Sequence, residues 1–178
     1  MAATAERRSE LERRVWDALA EVPDPEIPAV SVVELGIIRS VEAGAERILV
    51  EMLPTFVGCP ALEVIRASIA ERLAGMAPEV KVEATFAEPW TSDRITPEGR
   101  RKLRESGFAP PAPAPAEADS LQRASPPLFP TITTRPVARC PYCGSRDTAL
   151  ENPFGPTLCR AIFWCNRCRQ PFEQFKTV

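Results

Sequence analysis

Apolar residues at Leu11, Val15, Ala18 and Leu19 recur at intervals of three and four, and Ser9 followed by Glu12 has the spacing of a capping box. That pattern predicts a helix from Ser9 to about Ala20. Pro23, Pro25 and Pro28 follow closely, and because proline neither donates to a ladder nor continues a helix, the stretch from Val22 to Pro28 is expected to be a loop. The β-prone runs at 37–41 and 47–53 flank a short connection around Gly44, so they are expected to pair as antiparallel neighbours. Pro60 is placed to open a helix reaching about Ala74, with Leu62, Ile65, Ile69 and Leu73 on its apolar face. Val80, Val82, Ala84 and Phe86 alternate with Lys81, Glu83 and Thr85, which predicts a half-buried strand. Thr96 is the expected cap of a last helix that begins near Pro97 and stops at Gly107. The order α-β-β-α-β-α predicts a compact two-layer α+β domain over residues 1–108 with a small three-stranded sheet.

The periodicity then stops. Residues 109–136 contain eight prolines among Ala, Ser and Thr, a composition that buries little and is expected to form an extended, semi-rigid linker. Two domains follow, the second being residues 137–178, with short β-prone runs between paired cysteines. Apolar residues make up 44% of the chain and charged residues 26%, which suits a packed core. No apolar run approaches the roughly 20 residues needed to cross a bilayer, and the arginines near the N-terminus are not followed by a signal-type apolar segment. The reading is a cytoplasmic protein with no membrane partner.

Charge and histidine content narrow the chemistry further. Residues 1–108 carry 19 acidic and 14 basic side chains, whereas residues 137–178 carry three acidic and six basic ones. An excess of this size falls short of the clustered basic charge of a dedicated nucleic-acid binder, so nucleic acid is not the expected partner. The chain has no histidine. A Ser-His-Asp triad, a Cys-His pair and any imidazole metal ligand are therefore excluded.

Six cysteines in a chain without an export signal read as metal ligands or reactive thiols. Cys140 and Cys143 form one Cys-x-x-Cys pair, Cys165 and Cys168 a second, with 21 residues between Cys143 and Cys165. Two such pairs let two tight knuckles each supply two thiolates to one tetrahedral ion, with zinc the expected metal and iron or an iron-sulfur cluster the alternatives for a four-thiolate site. Cys159 sits in the same segment and is open to three readings: an inert buried thiol, a substitute ligand, or a contributor to an iron-sulfur cluster. The expectation is zinc with Cys159 outside the ligand set. Phe163, Trp164, Phe172 and Phe175 are expected to pack the small core, with base stacking as the functional alternative.

In the front domain, Cys59 stands in a loop leading into a helix, where backbone N–H groups favour a thiolate, so it is a candidate for reactivity or metal transfer. Filling the loop as a small buried residue is the competing reading. Asp24 and Glu26 are candidate carboxylate ligands, with turn or cap duty as the alternative.

Several motifs together resemble a known family. Asp24-Pro25-Glu26, Val32-Val33-Glu34-Leu35-Gly36-Ile37-Ile38, Pro54-Thr55-Phe56-Val57-Gly58-Cys59-Pro60 and Pro89-Trp90-Thr91-Ser92-Asp93-Arg94-Ile95 are similar to the small α+β domain associated with cytosolic iron-sulfur assembly. Its fusion through a Pro-rich linker to a four-cysteine ribbon ending Pro171-Phe172-Glu173-Gln174-Phe175-Lys176 resembles the PaaD, or PaaJ, family. That resemblance implies an accessory, non-catalytic subunit of the phenylacetyl-CoA epoxidase, a multicomponent monooxygenase of aerobic phenylacetate degradation. It further implies a role in maturing or inserting iron or iron-sulfur centres, with the other epoxidase subunits as partners. Carried over, Cys59 matches the loop cysteine, Asp24 and Glu26 the acidic loop, and Cys140, Cys143, Cys165 and Cys168 the ribbon ligands; Cys159 also fits the pattern. The competing functions are an electron-carrying iron-binding subunit and a nucleic-acid-binding zinc ribbon.

Overall fold

A computed structural model describes residues 2–56, 58–111 and 138–175. The chain divides into two compact units with the boundary between Ser106 and Gly107.

In the first unit, helix α1 spans Ala2–Ala20, strand β1 Ile38–Ala43, strand β2 Arg47–Met52, helix α2 Leu62–Leu73, strand β3 Glu79–Ala84 and helix α3 Pro97–Glu105. The sheet order is β1-β2-β3, with β1 antiparallel and β3 parallel to β2. Val41, Ala43, Ile48, Val50, Met52 and Val82 alternate onto one buried face. Against it lie Val15 and Leu19 of α1 and Ile65, Ile69 and Leu73 of α2, all nearly or fully excluded from solvent. The two-layer α+β expectation is borne out, because each apolar stripe finds the face that its period demands.

Local signals fared unevenly. Thr96 caps α3 as expected, its Oγ1 accepting from the Gly99 amide at 3.0 Å, and Gly107 follows with φ +85°. Helix α1 continues seven residues upstream of Ser9, so the Ser9/Glu12 pair lies inside the helix rather than at its cap. Helix α2 begins at Leu62 rather than Pro60, because the chain first closes a turn in which the Leu62 amide donates to the Cys59 carbonyl at 3.3 Å.

The long segment between α1 and β1 is held by its own side chains and by the chain entering α3. Ser31 and Glu34 exchange bonds, the Ser31 amide to Glu34 Oε2 at 2.8 Å and the Glu34 amide to Ser31 Oγ at 3.2 Å. Trp90 Nε1 donates to the Leu35 carbonyl and Arg94 Nε to the Gly36 carbonyl, each at 3.0 Å. The Thr96 amide donates to the Glu34 carbonyl at 2.9 Å, and Lys102 Nζ meets Glu34 Oε1 at 2.6 Å. The segments 32–38 and 89–95, two of the motifs that carried the family resemblance, are therefore partners in one structural lock.

The second unit is a four-stranded sheet of order β4-β7-β6-β5, with β4 Phe108–Ala109, β5 Thr148–Asn152, β6 Arg160–Cys165 and β7 Pro171–Phe175. Strand β4 differs from expectation. Phe108 and Ala109 stood at the junction of front domain and linker, yet they pair in parallel with Glu173 and Gln174. Ala109 is fully buried in the ribbon core, and the Arg160 guanidinium lies over the Phe108 ring, 5.4 Å from its centroid. Pro110 and Pro111 then prevent the ladder from continuing. The rest of the expected linker, residues 112–136, lies outside the described residues, as do Val57 and Val137. Among the described residues no helix is long and apolar enough to cross a membrane.

Candidate metal centre

Two knuckles of equivalent construction carry the ribbon cysteines. In the first, the Gly144 amide donates to the Cys140 carbonyl and the Cys140 amide to the Ser145 carbonyl, each at 2.9 Å. In the second, the Arg169 amide donates to the Cys165 carbonyl at 2.8 Å and the Cys165 amide to the Gln170 carbonyl at 3.0 Å. Each turn needs a left-handed residue at its fourth step, supplied by Gly144 at φ +71° and by Arg169 at φ +58°. Glycine takes this conformation without strain, whereas an L side chain loses about 1 kcal/mol there. A Cβ on Gly144 would meet nothing within 4 Å, so Gly144→Ala tests the backbone alone. It is expected to cost the ribbon about 1 kcal/mol, and Arg169→Gly to recover a similar amount, as read by thermal unfolding of each variant.

The knuckles bring Cys140, Cys143, Cys165 and Cys168 together with all four Sγ atoms within 4.8 Å of one another. Between the knuckles, Cys140 Sγ lies 3.6 Å from Cys168 Sγ and Cys143 Sγ 3.6 Å from Cys165 Sγ. Disulfide bonds, at about 2.05 Å, are far shorter. A tetrahedron of four thiolates around a metal with bonds of about 2.3 Å has edges of about 3.8 Å, so the spacing fits a single zinc-like ion. Cys140 and Cys165 are buried in the ribbon core with Ala138, Ala161, Phe163 and Phe172, and Cys143 and Cys168 pack against it. Phe163 and Phe172 stack with centroids 5.7 Å apart, and Phe175 is buried, as the aromatic pattern suggested; Trp164 is only half-buried.

The thiols have strongly divided acidities. The backbone amide of Cys168, above all, pulls the Cys165 thiol down to about 7. Desolvation, followed by the neighbouring cysteines, pushes Cys168 up to about 12, and desolvation also raises Cys140. Four sulfurs this close cannot all hold negative charge unaided, so a bound dication must displace protons, and acid must favour its release.

Cys159 stands outside this group. Its Sγ lies 3.1 Å from the Thr157 hydroxyl in the turn before β6. The neighbouring Arg160 is a feature that sequence reasoning missed. Only 7% exposed, it donates from Nε to Thr157 Oγ1 at 3.0 Å and from Nη1 to Glu173 Oε2 at 2.9 Å. One buried cation thereby ties the β5–β6 connection, β7 and β4.

The front-domain candidates are placed differently. Asp24 is buried, and its Oδ1 accepts the Glu26 amide at 3.0 Å and the Ile27 amide at 2.8 Å, the geometry of a turn-building aspartate. Glu26 is half-buried beside it. Cys59 is also half-buried; its amide donates to the Phe56 carbonyl at 3.1 Å, and it precedes α2 by three residues rather than lying in its first turn. The expected helix-dipole contact with this thiol is weakened accordingly. Among the described residues, only the ribbon cysteines form a group of three or more candidate ligand atoms at metal-binding separation.

Two family models match the chain. One, described as an iron-sulfur cluster assembly protein, matches residues 12–86, and the other, described as the PaaD zinc beta ribbon domain, matches residues 124–176. A protein of Escherichia coli (strain K12) named as a subunit of 1,2-phenylacetyl-CoA epoxidase is 36% identical over 166 residues, covering 92% of each chain. The crystal structure of a domain of unknown function, DUF59, from Bacillus anthracis superposes with a TM-score of 0.52 at 25% identity, over 56% of this chain and 96% of that one.

Proposed function

The chain belongs to the PaaD family of phenylacetyl-CoA epoxidase subunits, and from that premise we propose that it is a non-catalytic accessory component of this epoxidase system in aerobic phenylacetate degradation. Its work is to mature or insert the iron or iron-sulfur centres of the other subunits. The observation that carries this reading is a four-thiol cluster joined in one chain to a domain of the iron-sulfur-assembly type. A histidine-free sequence supplies no Glu-x-x-His pair for a di-iron oxygen-activating site of its own. The division of labour follows: Cys140, Cys143, Cys165 and Cys168 hold a structural zinc, and Cys59 is the thiol that handles iron in transit. Asp24 and Glu26 shape the acidic loop. An electron-carrying role would instead require redox-active iron at the ribbon, visible as charge-transfer absorption in the isolated protein.

Cys59→Ala tests the assignment. Cys59 lies outside regular secondary structure, so the variant is expected to fold with an unchanged unfolding midpoint. Epoxidase produced alongside it in cells should contain several-fold less iron and show correspondingly lower activity. Full iron loading with the variant would leave Cys59 as a loop residue and remove the front domain from metal handling.

A further inference from the structure

Among the described residues, strand β3 pairs on one side only, with β2, in parallel register. The Glu79 amide donates to the Glu46 carbonyl at 3.1 Å and the Thr85 amide to the Met52 carbonyl at 2.9 Å. Alternate residues of a strand serve opposite neighbours, so the odd-numbered residues of β3 serve β2, and the N–H and C=O groups of Val80, Val82 and Ala84 point outward. No described residue bonds those outward groups. Lys81 and Glu83, which flank Val82 on the opposite face of the strand, lie with Nζ and Oε1 2.6 Å apart. An unpaired edge of this kind is a template for another strand.

We propose that this edge pairs antiparallel with the same edge of a second copy of the chain, about a two-fold axis at Val82, joining two three-stranded sheets into one of six strands. The order of charges selects the occupant. With the axis at Val82, Val82 faces its own copy, Val80 faces Ala84, and Lys81 faces Glu83 twice, as a self-complementary interface requires. The outward-pointing residues then form the hydrogen-bonded pairs. The two Lys81–Glu83 pairs fall at the other positions, where facing side chains approach most closely. Moving the axis by one residue sets Lys81 against Lys81 or Glu83 against Glu83, so the same charges fix the register.

Sedimentation velocity of the full chain over a concentration series is expected to show a monomer–dimer equilibrium. Lys81→Glu places like charges opposite each other twice and should raise the dissociation constant about tenfold or more, while Lys81→Glu combined with Glu83→Lys should restore it. Circular dichroism melting of each variant separates lost pairing from lost folding, and Glu83→Lys alone provides a second single-charge variant. Amide exchange at Val80, Val82 and Ala84 should slow as the dimer forms. A wild-type chain that stays monomeric at millimolar concentration overturns the proposal. So does a dimer that ignores both charge changes or leaves those three amides exchanging at the monomer rate.

Discussion

Cys165→Ser is expected to abolish metal binding and unfold the ribbon while the first unit keeps its own unfolding transition. Cys165 is fully buried and carries three duties: it is one of the four clustered thiols, it ends β6, and its backbone closes the second knuckle. Serine preserves the size but replaces a soft thiolate with a hydroxyl that does not ionise near neutral pH. Among the described residues the ribbon's hydrophobic cluster holds seven buried residues, three of them alanines, and a module this small does not retain a stable fold on burial alone. A structural zinc supplies an apparent 10–16 kcal/mol, roughly, in modules of this type. Loss of one ligand should therefore exceed the stability of the unit. Amide spectra are expected to show residues 138–175 collapsing to random-coil positions while residues of β1, β2 and β3 stay dispersed. A ribbon that remains folded without metal would mean that Arg160, β4 and the aromatic pair suffice.

Gly36→Ala is expected to be the most damaging small substitution in the first unit. Gly36 has φ +66°, and an added Cβ would stand 2.4 Å from the Arg94 carbonyl oxygen and 2.5 Å from Arg94 Cβ. Neither side yields easily, since the Gly36 amide donates to the Val33 carbonyl and its own carbonyl accepts from Arg94 Nε, each at 3.0 Å. The left-handed backbone costs about 1–2 kcal/mol with a side chain and the overlap about 1–3 kcal/mol more. A loss of about 3 kcal/mol is a large part of the stability of a small domain. Gly75→Ala supplies the control. It shares the positive φ, at +81°, but meets nothing within 4 Å, so it should cost only about 1 kcal/mol. Equal urea midpoints for the two variants would show that the 32–38 and 89–95 segments are not locked together as described.

Legibility in the sequence followed the range of the interaction responsible. The hairpin around Gly44, the stripe Ile65–Ile69–Leu73 and the Thr96 cap are set by residues within a few positions of one another, and each was readable. The paired cysteines were readable for a related reason, because each knuckle is local. What joins distant segments was not. Nothing in the alternation of β3 tells that it lies parallel to β2 rather than beside β1. Phe108 and Ala109 are too few to show a strand period, and the prolines behind them mask their pairing with β7. Arg160 looks like any surface arginine until Glu173, Thr157 and Phe108 converge on it. Asp24 was open between ligand and turn residue, and only the positions of the Glu26 and Ile27 amides show its turn geometry.

The most direct test of the metal centre is native mass spectrometry with elemental analysis on full-length protein purified without chelators, beside the Cys159→Ser variant. One zinc ion per chain is expected in both proteins, since Cys159 lies by Thr157 and apart from the four clustered thiols. Metal lost from Cys159→Ser, or iron with inorganic sulfide in place of zinc, would contradict a four-cysteine zinc site.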